Sequence, residues 1–300
     1  MNHKVRNPLL LTLAAMVWGV AFVAQDEGSN YIGSCSFTGI RFLIAAAVLF
    51  PFIRLMEARR KSDGPSKKLW ISGIICGVLL CAASLLQQEG IALGTNAGKA
   101  GFLTALYIVL VPLANLLFFR KRTALTVWIG VALALAGIYL LCMKGVVALN
   151  LPDLLVILSA FLFALQILAV DRFSPLYSSL KLAAIQFLTC GAISSLIMIP
   201  VDILPIGFNA WLSTFTAPGA WMSLVFASVF SGAMGYTLQI AGQKGVNPAV
   251  ASLIMSLESL FAVLAGWLIL HQTMTPREMA GAALIFAAVL LAQVPARKRK

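Results

Sequence analysis

Long apolar runs, recurring almost without pause from one end of the chain to the other, constrain this sequence more than any other feature. A helix that crosses the hydrocarbon core of a bilayer needs roughly 20 apolar residues, and about ten such segments with short connections use up a chain of 300 residues. Soluble domains run about 45–50% apolar and about 25% charged. Here 61% of residues are hydrophobic, 11% are charged and the mean hydropathy is +0.96. No soluble fold hides that much apolar surface, and no length remains for a separate soluble domain. Lipid offers backbone amides no partner, and the runs do not alternate as barrel strands do, so the expected class is an all-α polytopic membrane protein.

Breaks at charges and at Gly, Pro and Asn divide the chain into ten expected spans, near 8–24, 36–55, 70–92, 97–118, 125–143, 152–170, 178–200, 219–242, 248–270 and 277–294. The first follows a short basic start but lacks a small-residue cleavage site, so it reads as a retained helix and not a secretory signal. With the N-terminus inside, the 22 Lys and Arg fall into cytoplasmic segments, apart from Arg41, Lys99, Lys144 and Arg277. The positive-inside rule then puts both termini in the cytoplasm of a bacterial inner membrane. The net charge of +12 is spread over these short connections and does not form one face with interleaved aromatics, so no nucleic-acid partner is expected. The basic tail Arg297 to Lys300 suits anionic lipid headgroups.

The chain also repeats itself. A shift of 151 positions aligns Trp70 with Trp221, Ser72 with Ser223, Gln88 with Gln239, Gly94 with Gly245, Asn96 with Asn247, Leu106 with Leu257 and Gly130 with Gly281. A shift of 145 pairs Arg41-Phe42-Leu43 with Gln186-Phe187-Leu188. The expected units are residues 1–148 and 149–300, each of five helices. Because five is odd, the second unit must enter the membrane the other way up, which is the inverted repeat of many secondary transporters.

Trp18-Gly19, the region from Asn96 to Pro112, and the run from Asn247-Pro248-Ala249 through Glu258 and Trp267 to Thr275-Pro276 and Gly281 resemble the EamA-type drug/metabolite transporters. The resemblance covers nearly the whole chain. It implies ten spans in two inverted halves around a central cavity, and transport of amino acids or related small metabolites, commonly outward. Two positions depart from the family's pattern: His271 stands where a Glu often closes the ninth span, and Arg120 holds the equivalent place in the first half.

Glu258 is the first candidate for function, because it lies in mid-membrane. An acidic group at a helix centre costs roughly 2.5–3.5 kcal/mol to insert, so it must face the interior, find a donor or hold a proton. It is therefore a candidate for coupling to a proton, or else an interhelical hydrogen-bond partner that fixes packing. Its counterpart at the 151 shift is Tyr107. Matching stripes of Gly77, Cys81, Ser84 and Gln88 and of Ser228, Gly232, Gly235 and Gln239 each lie on one helix face. They serve either close helix packing or a cavity wall whose amides orient a ligand. Trp18, with Gln166 in the sixth span, is a further candidate contact for an amphiphilic solute. Arg41 sits near the outer end of its span, from where it can snorkel to the surface or meet a substrate. Glu89 and Lys99 bracket the outer connection between the third and fourth spans, as an ion pair, a gate or solvated ends.

No cofactor, metal or catalytic group is expected. The segment Gly94-Thr95-Asn96-Ala97-Gly98-Lys99-Ala100 has three residues between its glycines where a phosphate loop has four, and Ala follows the Lys. His3 and His271 lie at chain or span ends, and the five cysteines lack CxxC spacing and read as small packing residues. The leading expectation is a secondary carrier of small neutral or zwitterionic metabolites, with a proton as candidate co-substrate. A channel or a non-transporting membrane scaffold is the alternative. Direction, coupling ion and oligomeric state are not encoded in these features.

Overall fold

The computed structural model describes residues 3–59, 66–95, 97–120, 123–142, 149–270 and 275–293. Among these the protein is helical, with no strand. The helices are α1 (His3–Ser29), α2 (Ser34–Arg59), α3 (Lys67–Ala92), α4 (Ala97–Thr104), α5 (Tyr107–Phe119), α6 (Leu125–Cys142), α7 (Leu151–Phe173), α8 (Ser179–Met198), α9 (Phe208–Ser213), α10 (Pro218–Phe226), α11 (Thr237–Gly242), α12 (Pro248–Met255), α13 (Leu257–Leu270) and α14 (Pro276–Gln293). A π-helical turn, Ile199–Ile203, extends α8, and a longer π-helical segment, Ala227–Tyr236, joins α10 to α11. His271, Asn96 and Lys144, singled out above, lie outside the described residues, as do the basic tail and most of the connection after α2.

Seven segments are long and apolar enough to cross a membrane: Val5–Ser29, Ser34–Leu55, Lys67–Ala92, Gly98–Phe118, Leu151–Phe173, Ser179–Ile203 and Pro218–Gly242. Leu125–Leu141 and Pro248–Leu264 are shorter apolar helices. The expected count of ten therefore becomes seven by length and composition among the described residues. Leu117, Leu196 and Met222 are 75%, 69% and 79% exposed on the outside of the bundle, while polar residues such as Ser84, Gln88, Gln186 and Gln243 are fully buried. That inside-out distribution is stable only with lipid around it. The chain is a multi-pass membrane protein.

Packing follows the sequence repeat. α2 lies along α8 and α6 along α14, each pairing a helix with its expected counterpart in the other half. α3 runs beside both α7 and α8, and α1 beside α13. In the α6–α14 crossing each helix offers a glycine: a Cβ added to Gly137 would lie 2.7 Å from the Gly281 carbonyl, and one added to Gly281 2.6 Å from that of Gly137. Gly94 and Gly245, equivalent at the 151 shift, both take positive φ, 112° and 73°, where the chain turns out of α3 and α11. The left-handed conformation favours glycine because a side chain there meets the backbone.

The two expected long spans 97–118 and 248–270 are each broken in the middle. α4 gives way to α5 at Ala105-Leu106, and α12 to α13 at Ser256, again 151 positions on within a residue. The hydrogen bonds tighten to i→i−3 at both breaks, with Ile108 N on Ala105 O at 3.0 Å and Ser259 N on Ser256 O at 3.2 Å. Ser256 also turns its hydroxyl back onto the Leu253 carbonyl at 2.8 Å.

Both ends of the bundle are tied. At one, the Asp153 carboxylate accepts from Lys99 Nζ at 2.5 Å, Thr95 Oγ1 at 3.0 Å and the Asn150 amide at 2.9 Å, joining the start of α7 to the α3–α4 connection. Lys99 thus takes Asp153, and not Glu89, as its ion-pair partner. At the other end, Asn7 donates to the Lys244 carbonyl at 2.6 Å, and the Lys244 ammonium donates to the Tyr177 carbonyl at 2.8 Å. Burial, with Arg6 nearby, holds that ammonium below the usual lysine range.

Candidate substrate cavity

Between these ends lies a narrow cavity of about 50 Å³, smaller than the roughly 300–1,000 Å³ of an open small-molecule site. Helix α1 supplies Trp18, Phe22 and Gln25, α2 supplies Arg41 and α3 Gln87. The two broken spans contribute Thr104, Tyr107, Met255 and Glu258, all at or next to their breaks. From α7 come Phe163 and Gln166, and from the π segment and α11 come Ser231, Tyr236 and Gln239.

The centre of the site is the Tyr107 hydroxyl, which donates to Glu258 Oε1 at 3.1 Å. Both residues stand in the first turn of the second half of their broken helix. Helix N-termini favour negative charge, so the break before Glu258 suits a carboxylate better than an unbroken helix does. Glu258 is 4% exposed and Tyr107 likewise, so neither reaches bulk solvent through the protein wall.

Trp18 is seated by glycines. Its indole N–H donates to the Ser231 carbonyl at 3.2 Å, in the π segment, and its ring lies 4.9 Å from that of Tyr236. A Cβ added to Gly235 would stand 2.5 Å from Trp18 Nε1, and one added to Gly19 2.5 Å from the Glu258 carbonyl. The Trp18-Gly19 dipeptide thus puts an indole on the cavity wall while α1 crosses α13 at backbone contact. A chain of amides lines the neighbouring wall: Gln239 donates to Gln166 at 3.1 Å, and Gln166 to Gln186 at 3.0 Å.

Of the residues expected to meet substrate, Trp18, Tyr107, Gln166, Gln239 and Glu258 are brought together on the lining. Ser84, Gln88 and Gly235 lie behind it. Gln88 is turned to the Gln25 carbonyl at 3.1 Å, Ser84 is fully buried, and Gly235 touches the cavity only through the indole it seats. The neighbour Gln87, about 100° around the same helix, faces the cavity and donates to Thr104 at 2.9 Å.

Arg41 corrects the snorkelling expectation. It is 3% exposed, donates from Nη1 to Gln25 Oε1 at 2.7 Å, and lies over the rings of Phe42 and Phe37 at 4.8 and 5.6 Å. Snorkelling needs an open route to the headgroups, and α1 with these rings closes it. Gln25 and Gln87 also line the cavity without having been expected there; each is an amide within an apolar helix, which is the signal that could have found them.

Cys35, Cys76, Cys81 and Cys190 are buried free thiols, and no group of His, Cys, Asp and Glu suited to a metal occurs among the described residues.

A multi-pass helical protein with a mixed polar and aromatic cavity beside two broken helices has the architecture of a membrane transporter. A model of the EamA-like transporter family matches the chain twice, over residues 7–143 and 150–293, and the chain belongs to that family. It is 26% identical to an uncharacterized transporter of Archaeoglobus fulgidus over 94% of this chain and 83% of the relative. It is 25% identical to the uncharacterized inner membrane transporter YedA of Escherichia coli, over 97% and 92%. A solved crystal structure superposes with a TM-score of 0.74 at 17% identity, covering 95% of this chain and 96% of that one, a likeness of fold.

Proposed function

We propose that this transporter is a secondary carrier that moves small neutral or zwitterionic metabolites, amino acids or their relatives, outward across a bacterial inner membrane by alternating access. The observation that carries the reading is the Tyr107–Glu258 hydrogen bond, formed between two helix breaks at the wall of one cavity. Broken helices at mid-membrane are where transporters bind substrate and coupling ions. The halves 1–148 and 149–300 act as inverted five-helix units, ten crossings in all with both termini cytoplasmic, and rock about the cavity so that each tied end opens in turn. Glu258 exchanges a proton or receives a substrate ammonium, with Trp18, Gln166 and Gln239 as neighbouring contacts. Ser84, Gln88 and Gly235 support the wall from behind. The relative YedA, named an inner membrane transporter, supports the location.

Counterflow in proteoliposomes tests this. The purified protein, loaded with unlabelled amino acids, should accumulate the same labelled solute transiently and saturably. Flux that rises linearly with concentration would mean a channel, and no flux for any amino acid would remove the proposed cargo.

A further inference from the structure

Arg41 is a buried cation without a counter-ion among the described residues. A guanidinium stays charged at any physiological pH, and a buried charge is sustained only when it is paired and hydrogen-bonded. Among the described residues the ion pair is Lys99–Asp153, at the end of the bundle, and Arg41 has no carboxylate partner. What holds it is neutral: the Gln25 amide on Nη1 and two aromatic rings against the guanidinium. Its Nε has no hydrogen-bond partner although fully buried. Neutral groups position a charge and leave it able to attract another.

The same cavity wall carries the carboxyl group of Glu258, and the two do not pair with each other. Each is held by a neutral residue of its own, Gln25 for Arg41 and Tyr107 for Glu258. A cation and a carboxyl group kept apart on one cavity form a template for a dipole. Resting on the carrier reading above, we infer that Arg41 is the subsite for the carboxylate of a zwitterionic solute, whose ammonium faces Glu258. The planar fork of an arginine matches the two oxygens of a carboxylate. A phosphate dianion fits less well, because Arg41 is the one cation among the described lining residues and leaves part of a double charge unbalanced. Trp18, Ala21, Phe22, Phe163, Ile167 and Met255 form the apolar part of the lining, which selects a solute with an apolar or aromatic side chain. A position near the outer end of α2 gives no hint of this role; burial against α1 turns Arg41 from a surface cation into a cavity one.

The test is counterflow with matched sets of probes: leucine, methionine and phenylalanine, their amides, and the amines that lack the carboxylate altogether. Wild-type protein should exchange the acids at least tenfold better than the amides or amines. Arg41→Gln should lower exchange of the acids to the level of the amides while changing the amides less than threefold, and Arg41→Lys should fall between. If wild-type protein exchanges acids and amides equally well, the carboxylate subsite is wrong while the carrier reading survives. The subsite is equally wrong if Arg41→Gln lowers both to the same extent. Stimulation by inorganic phosphate or sulfate in place of the carboxylates would also overturn it. Should Arg41→Gln fail to fold, the acid-to-amide ratio of wild-type protein and of Arg41→Lys still decides. If no acid, amide or amine exchanges at all, the cargo reading falls and takes the subsite with it.

Discussion

Tyr107 and Glu258 are 151 positions apart in the chain and 3.1 Å apart in space, and 151 is the same shift that aligns Trp70 with Trp221 and Gln88 with Gln239. Two residues related by a pseudo-two-fold operation touch only if they lie beside its axis. On the proposal of two rocking halves, the Glu258 carboxyl therefore stands where they move least.

Glu258→Gln keeps the shape and an oxygen to accept from Tyr107 while removing the titratable charge. Insertion and detergent stability should stay near wild type, transport should fall at least tenfold, and what remains should lose its dependence on pH between about 5 and 8. Counterflow rates measured across that range check this, and full transport with an unaltered pH profile would make Glu258 a packing residue.

Removing the donor instead, with Tyr107→Phe, leaves a buried acceptor without its partner. Because interhelical hydrogen bonds in membranes contribute modestly, a double-mutant cycle with Glu258→Gln should return a coupling of about 0.5–2 kcal/mol in unfolding. A coupling near zero would mean that the bond does not join the halves.

Gly19 and Gly235 should respond differently to alanine. The Cβ at Gly19 meets the backbone of α13, with the Glu258 carbonyl at 2.5 Å and the Ala262 amide at 2.7 Å, so Gly19→Ala should lower the melting temperature and the yield. At Gly235 the obstacle is the Trp18 side chain, which can swing. Gly235→Ala should therefore insert normally, displace the indole from the Ser231 carbonyl and reduce transport several-fold. Tryptophan fluorescence with the counterflow assay distinguishes the two effects.

Asp153→Asn removes the charge that closes one end of the bundle. A half-buried Lys99 then loses its ion-pair partner, and breaking a buried pair costs up to about 3–5 kcal/mol, less here because Lys99 retains contact with solvent. A cysteine placed at Gln87 on a cysteine-free background should react several-fold faster with an impermeant maleimide added from that side. Unchanged labelling would mean that the tie does not gate the cavity.

Orientation is testable with the same reagent. Single cysteines in the connection from Glu57 to Leu69 should react from the cytoplasmic side alone, since Arg59, Arg60, Lys61, Lys67 and Lys68 cluster there. Labelling from the periplasm of intact cells would invert the topology.

Most of the helix order was legible because apolar runs and basic breaks report the bilayer directly, and the repeat was legible because Trp, Gln and Gly recur at one spacing. The helix breaks were not: Thr104-Ala105-Leu106-Tyr107 and Met255-Ser256-Leu257-Glu258 contain neither Gly nor Pro, so tertiary packing decides where the chain turns. Gln25 escaped notice because α1 continues to Ser29, past the apolar run that ends near Ala24. The family run around Glu258 and the 151 shift together named Tyr107 and Glu258 as counterparts, but a shift in sequence says nothing about distance from the axis. Side-chain stripes identified the right helix in α3 and missed the right face by one residue, because small residues line packing contacts as readily as cavities.

One of the differences between the halves lies on the cavity wall. Helix α3 is regular from Lys67 to Ala92, whereas its counterpart is α-helical only at its ends and widens to π-helix over Ala227–Tyr236. A carrier with identical inverted halves would have two states related by a two-fold rotation, equal in energy, and would rest half the time facing each side. Confining the wider turn, with the carbonyl that holds Trp18, to one half removes that degeneracy. On the alternating-access proposal, the π segment is thus a built-in bias that gives the empty protein a preferred side on which to wait.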